Sequence, residues 1–404
     1  MKQISSQKYW EILPSKNLFF CGGRCILAPN VSILCVSFWL IVITSGLFFA
    51  FDCRILIQRS YAILVFGILL CLSVLSLLLK TALTDPGIIP RANVSESEWL
   101  EEDIVKNLFT NTNEPQRQQI RVKEVMLKGQ LIKMKYCTTC KMFRPPRASH
   151  CSVCDNCVDR FDHHCPWVGN CIGRRNYRYF FLFNLFLTIY CLYILGFSIT
   201  NLVLLSIDKS SLTEALKMSP TSVIVIIISF VSMTSVIGLS GFHSHLICKE
   251  ISTNEDIKGS YKLISQTNPF SKGNGCKNCA WILCGPRPPS LLNATQSVDM
   301  KNLPVGCSYR GPDGCTIGPV GPSKNVKPYI DNLKSSDGRI IAQPMAGPPE
   351  FQNVSYPRQM TYHLANGEAL TNKDLEFGGT VENTTIQNYG TMSPDSNFVK
   401  NIEN

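Results

Sequence analysis

Charge is scarce in this sequence. Of 404 residues only 17% are Asp, Glu, Lys or Arg, while 45% are hydrophobic. The apolar residues are clustered, so the balance excludes an ordinary soluble globule and points to a bilayer. No charge falls within any of the four long apolar stretches. The charged or broken mid-membrane elements of a transporter or channel are therefore missing. No internal repeat is visible. The first apolar stretch begins about 30 residues in, and no small-residue cleavage pattern follows Phe51. It is not a cleavable signal.

What is present is four apolar runs: Val31 to Phe51, Tyr61 to Leu79, Phe180 to Ser206 and Thr221 to Leu246. A helix rises 1.5 Å per residue, so about 20 residues cross a core roughly 30 Å thick. Each run exceeds the usual length of a buried soluble helix, and four spans are expected. Net charge is +10, which suits anionic headgroups or phosphorylated ligands, or is merely a solvated basic surface. Basic residues mark one side. Lys80 and Arg91 follow the second run, Arg174, Arg175 and Arg178 precede the third, and Lys249, Lys258 and Lys262 follow the fourth. The other side has Arg54 and Arg59 in a short hairpin, and Lys209 and Lys217 balanced by Asp208 and Glu214. The hairpin beside Asp52 is equivocal. The positive-inside rule then places the long loop and both termini in the cytosol. Sequons at Asn93, Asn293, Asn353 and Asn383 should stay unglycosylated there.

The expected organisation is a cytosolic segment 1–30, helices 1 and 2 within 31–79, and a cytosolic loop 80–179. Helices 3 and 4 follow within 180–247, then a cytosolic region 248–290 and a tail 291–404. The tail is rich in Gly, Pro, Ser and Asn without sustained period, which predicts disorder.

Cysteine is plentiful and uneven. Seven of the 19 lie between Cys137 and Cys171, with His150, His163 and His164 among them. The stretch reads C-x2-C-x9-H-C-x2-C-x2-C-x4-D-H-H-C-x5-C. Dense Cys with interleaved His indicates metal rather than disulfides, and zinc thiolates need a reducing compartment. A C-x2-C turn lets two thiolates reach one ion, and a distant pair completes the tetrahedron. There are more ligands than one zinc needs, so two sites are the natural count. A nucleic-acid zinc finger would need a basic recognition helix and would not sit between membrane spans. No nucleic-acid partner is expected.

Asp162-His163-His164-Cys165-Pro166-Trp167 resembles the signature of the DHHC protein S-acyltransferases. Asp85-Pro86-Gly87 is similar to the family's DPG element. Ser252-Thr253-Asn254-Glu255 is similar to its TTxE element, with serine for the first threonine. Asn268-Pro269-Phe270 resembles its C-terminal motif. The resemblance covers about residues 9 to 290. Within the family it is closest to the Ras-type palmitoyltransferases, on Phe143 to His150, Gly173 to Tyr179 and Asn254 to Gly259.

The resemblance implies an α-helical multi-pass membrane protein, with four transmembrane helices and a cytosolic Cys-rich two-zinc domain between helices 2 and 3. It implies zinc on Cys137, Cys140, His150 and Cys157, and on Cys151, Cys154, His164 and Cys171. Cys165 is then the nucleophile, His163 its base, and Asp162 the group that orients His163. The implied reaction moves a fatty acyl group, palmitoyl foremost, from acyl-CoA through Cys165 to thiols of membrane-associated proteins. Ras-type GTPases are among the candidate acceptors. Arg174 and Arg175 are candidates for CoA phosphates, or equally for lipid headgroups. The family carries a bulky gate residue on its third helix, and an ungapped offset places it at Tyr190. The Ras-type subgroup further implies a small cysteine-rich accessory subunit, and the family a Golgi, endoplasmic-reticulum or plasma membrane. Cys276, Cys279 and Cys284 stand open as a third metal cluster, as lipidated cysteines or as spares. A catalytically silent zinc-bearing adaptor is the competing function, and it need not keep Cys165.

Overall fold

The computed structural model describes residues 8–110, 122–260, 268–292 and 294–297, with two short strand pairs, 309–310 with 316–317 and 362–363 with 369–370. The rest of the tail, and the sequons at Asn293, Asn353 and Asn383, lie outside the described residues.

Four helices are long and apolar enough to cross a membrane: Ser32–Leu56, Tyr61–Leu83, Tyr177–Asp208 and Pro220–Lys249. This is a multi-pass membrane protein. The second and fourth helices begin or end where the sequence makes them. The Ser60 hydroxyl caps the second helix at Ala62 N, satisfying an orphan donor. Asp85-Pro86 follows its end, and proline disfavours helical φ/ψ at the residue before it. Pro220 opens the fourth helix at a position where its missing N–H costs nothing. The third helix packs along both the second and the fourth.

The first helix runs past Phe51, where the apolar stretch stops, to Leu56. It passes through a π turn, Phe48–Asp52. Asp52, beside the short hairpin of Arg54 and Arg59, is fully buried. Polar groups of other helices cover it, which no local pattern reveals.

Between the second and third helices lies a domain of short strands. Ser149–Cys151 pairs antiparallel with Asn156–Val158, which also pairs with Ile88–Ile89 just after the second helix. His163–Cys165 pairs with Asn170–Ile172. Lys141 and Asp155, each following the second cysteine of a C-x2-C, have φ of 54° and 58°. That left-handed turn folds each pair of thiols back toward one point. Gly169 closes the next turn at φ 67°, and a Cβ there would come within 3.0 Å of Leu34 on the first helix. Glycine thus allows the domain to seat against the bundle.

The candidate active site and metal centres

Two groups of four side chains converge. Cys137, Cys140, His150 and Cys157 form one, and Cys151, Cys154, His164 and Cys171 the other, with the ligand atoms in each within 4.8 Å of one another. Nδ1 of His150 lies 3.6 Å from the Sγ of Cys137 and Cys140 and 3.9 Å from that of Cys157. Nδ1 of His164 lies 3.8, 3.5 and 3.5 Å from Cys151, Cys154 and Cys171. A tetrahedron with Zn–S near 2.3 Å and Zn–N near 2.05 Å has S···N edges of roughly 3.6 Å. The donor set and its spacing therefore fit a zinc-sized ion in both groups. Hydrogen bonds from Cys140 and Cys157 hold the Cys137 thiol far below its usual range, while the Cys137 neighbour pushes Cys140 up to about 12. Three thiols this close can all ionise only around a cation. Among the described residues no other such group occurs. Cys276, Cys279 and Cys284 belong to neither, although Cys279 Sγ lies 3.5 Å from that of Cys248.

Asp162, His163 and Cys165 fall outside both groups and lie together. The His163 Nδ1–H donates to Asp162 Oδ2 at 2.7 Å, and Cys165 lies close enough to perturb the ring electrostatically. Burial pulls the His163 pKa down, but Asp162 and Cys165 outweigh it and push it up to about 9. Burial raises the Asp162 pKa, and His163, together with His243 and the Thr253 backbone, more than reverses this. Thr253 holds the carboxylate from behind, its backbone N–H on Oδ1 and its hydroxyl on Oδ2, both at 2.8 Å. The TTxE-like element is therefore what fixes Asp162. Ser252 in place of threonine still supplies its hydroxyl, which caps Glu255 N at 3.3 Å. Phe180 of the third helix packs edge-on against the His163 ring at 5.2 Å. Cys165 itself is buried in the apolar cluster that continues into the helix bundle.

The other motif residues position this site. Asp85 Oδ1 accepts the N–H groups of Gly87 and Ile88, at 2.8 and 2.9 Å. Its Oδ2 takes Arg175 Nη1 at 2.6 Å and the Ser290 hydroxyl at 2.5 Å. Gly87 has φ 108°, a conformation glycine adopts at little cost. The Pro86 carbonyl accepts Arg175 N at 3.2 Å. The DPG element is thus a clasp on the strand–helix junction. Arg175 serves the clasp, and Arg174 faces Asp159 at 3.3 Å. Asn268 Nδ2 caps the carbonyls of Lys249 and Glu250, both at 2.9 Å, where the fourth helix ends.

Sequence reasoning passed over a buried ion network beneath the site. Arg147 donates to Glu250 Oε1 at 2.9 Å and to both oxygens of Glu255 at 2.8 Å. Arg160 reaches Glu250 Oε2 at 2.9 Å, and its guanidinium lies over the Tyr177 ring. Arg147 lies over Phe270 at 4.5 Å. Arg147 and Glu255 were legible only as parts of family-like strings, and Glu250 carried no signal. Burial raises the Glu250 pKa, but Arg147 and Arg160 outweigh it and hold it at about 2. A depressed carboxylate contributes stability above its unfolded value and loses it as pH falls. Here the contribution is complete above pH 4.5 and fades toward pH 2. Arg147→Ala leaves Glu250 with Arg160 alone and takes from Glu255 its Arg147 ion pair, and breaking a buried pair costs about 3–5 kcal/mol. Thermal unfolding in detergent should show that loss at pH 7; an unchanged midpoint would show that the network contributes nothing.

The comparisons with known proteins agree with this geometry. The family profile described as DHHC palmitoyltransferase matches residues 130–260. Palmitoyltransferase ZDHHC9 of Bos taurus is 49% identical over 344 residues, 84% of this chain and 92% of that protein. The Danio rerio protein of the same name is 46% identical over 331 residues, 81% of this chain and 83% of its own length. Palmitoyltransferase ZDHHC18 of Homo sapiens is 47% identical over 292 residues, covering 71% and 74% of the two chains. With four long apolar helices, two Cys/His groups and the DHHC stretch between the second and third, the chain belongs to the DHHC palmitoyltransferase family.

Proposed function

We propose that this palmitoyltransferase works by a ping-pong mechanism on Cys165. The observation that carries the reading is that the hydrogen-bonded pair Asp162–His163, with Cys165 beside it, lies outside both four-ligand groups. A His163 held protonated by Asp162 favours the Cys165 thiolate, the reactive form. That thiolate attacks the carbonyl of a fatty acyl-CoA. The C–S bond to coenzyme A breaks as the C–S bond to Cys165 forms, and His163 returns a proton to the leaving thiolate. An acceptor protein thiol then loses its proton to His163 and attacks the acyl-enzyme, and Cys165 leaves as thiolate. Thioester replaces thioester at each step, so no ATP is required. Zinc, held by the two Cys/His groups, supplies folding energy and keeps the strands in register.

The donor is palmitoyl-CoA and the acceptors are membrane-associated proteins with accessible cysteines, Ras-type GTPases among them. The positive side of the bundle, with the zinc domain and both termini, faces the cytosol of a Golgi or endoplasmic-reticulum membrane. A small accessory subunit prolongs the acyl-enzyme; equal turnover of the chain alone and with any co-purifying partner would remove that element. Arg174 and Arg175 contact CoA phosphates only if they share their guanidinium groups with Asp159 and Asp85. Rapid mixing tests the mechanism. Coenzyme A should appear in a burst with palmitoyl-CoA alone, before any acceptor is added. Release that waits for the acceptor would mean direct transfer without an acyl-enzyme.

Tyr190 sets the acyl length in this reading. A palmitoyl chain reaches about 20 Å, some 13 residues of helix at 1.5 Å each, and Tyr190 lies about that far along the third helix. Its hydroxyl donates to Ser45 Oγ of the first helix at 2.8 Å, and the side chain is buried. A bulky ring tied across two helices is suited to ending an acyl-chain cavity, since overfilling packed space costs about 1–3 kcal/mol. Tyr190→Ala should shift competition between palmitoyl- and stearoyl-CoA toward stearoyl, read by the mass of the acyl-enzyme. An unchanged ratio would mean that another residue ends the cavity.

A further inference from the structure

Asp52 has no part in the chemistry above, yet it is fully buried in the helix bundle. A carboxylate inside a membrane-spanning segment is costly and marks function more often than packing. Its Oδ2 accepts the Ser198 hydroxyl at 2.5 Å, and its Oδ1 accepts Asn201 Nδ2 at 3.0 Å, both from the third helix. The Ser222 hydroxyl, from the first turn of the fourth helix, also donates to Oδ1. Asn201 Nδ2 reaches Ser222 Oγ at 3.1 Å as well, and Ser219 Oγ lies 2.6 Å from it. The positive end of the fourth helix dipole adds to this compensation. Asp52 therefore ties three helices at one point. It also ends the π turn Phe48–Asp52, a local widening that tends to be kept at functional sites.

The same seam carries the Ser45–Tyr190 hydrogen bond. Ser45 precedes Asp52, and Tyr190 precedes Ser198, by about two helical turns each, roughly 10–12 Å. The first helix is held at its opposite end by the Ser37 hydroxyl on the Trp167 carbonyl, at 2.9 Å, beside the DHHC strand. The height of Ser45 against Tyr190 is thus set from both ends, and Asp52 is the far anchor.

We propose that Asp52 is a positioning residue for acyl-chain selectivity: by clasping the third and fourth helices it holds the first helix where Ser45 meets Tyr190 and closes the acyl-chain space. The proposal rests on the reading of Tyr190 given above. A residue needed only for stability would, when changed, lower acyl-enzyme from every donor alike. One that sets the floor of the cavity would change the ratio between donors.

The test uses the full chain in lipid nanodiscs, with palmitoyl- and stearoyl-CoA in competition and acyl-enzyme read by mass. Asp52→Asn keeps the shape and removes the charge. The stearoyl share should rise by about three- to tenfold, the factor that one net hydrogen bond carries. Ser222→Ala, which keeps the carboxylate and removes the fourth-helix donor, should move the ratio the same way by less. If Asp52→Asn does not fold, Ser198→Ala with Ser222→Ala takes its place under the same criterion. A changed ratio in Tyr190→Ala with a wild-type ratio in the Asp52 and serine variants overturns the proposal alone. A wild-type ratio in all of them overturns it together with the Tyr190 reading.

Discussion

Cys165→Ser abolishes both self-acylation and transfer to an acceptor thiol, while the protein keeps two zinc equivalents. A serine hydroxyl is almost wholly protonated near neutral pH and is a far weaker nucleophile than a thiolate. The thiolate is the nucleophile in chemistry of this kind, so the loss should exceed the roughly 10²–10⁴-fold that base assistance alone supplies. Metal content should not move, because Cys165 belongs to neither four-ligand group. Elemental analysis beside a labelled palmitoyl-CoA assay separates the two readings. Loss of one zinc equivalent in this variant would make Cys165 a ligand and remove it from the chemistry.

Adjacent histidines should fail in different ways. His163→Ala loses activity with the fold and both metals kept, since its ring faces Asp162, Phe180 and His243 and it belongs to neither four-ligand group. His164→Ala removes the one imidazole from the group of Cys151, Cys154 and Cys171. Structural zinc contributes about 10–16 kcal/mol to folding in small domains, so loss of even part of that should unfold the strands around Cys151 and Cys171. Limited proteolysis and zinc content distinguish the two variants. If both lose metal, or neither does, the division of roles between His163 and His164 is wrong.

The strongest sequence signals were those set by spacing. C-x2-C turns, the Asp162 to Cys165 tetrad and the four apolar runs each encode their geometry within a few residues. The structure brings together the two Cys/His groups and pairs His163 with Asp162. The DPG and TTxE-like elements were legible as motifs, but not their task. That Thr253 grips Asp162 and that Asp85 clasps Arg175 depends on contacts spanning some 90 positions. The ion network failed to show for the same reason. Glu250 follows the fourth helix as an isolated acid, and only the fold supplies Arg147 and Arg160. The burial of Asp52 was not legible, because hydropathy measures a stretch and not what faces it. Ser198, Asn201 and Ser222 look like incidental polar breaks in apolar helices until the bundle places them around one carboxylate.

The central claim is that the acyl group passes through Cys165. The most direct measurement is to map the thioester formed when the purified chain meets palmitoyl-CoA, by digestion and mass spectrometry with hydroxylamine as the control, and then to chase with an acceptor thiol. The account predicts a hydroxylamine-sensitive palmitoyl adduct on the peptide carrying Cys165, which disappears as the acceptor is acylated. An adduct confined to the peptides of Cys276, Cys279 or Cys284, or one on Cys165 that does not chase, would contradict it.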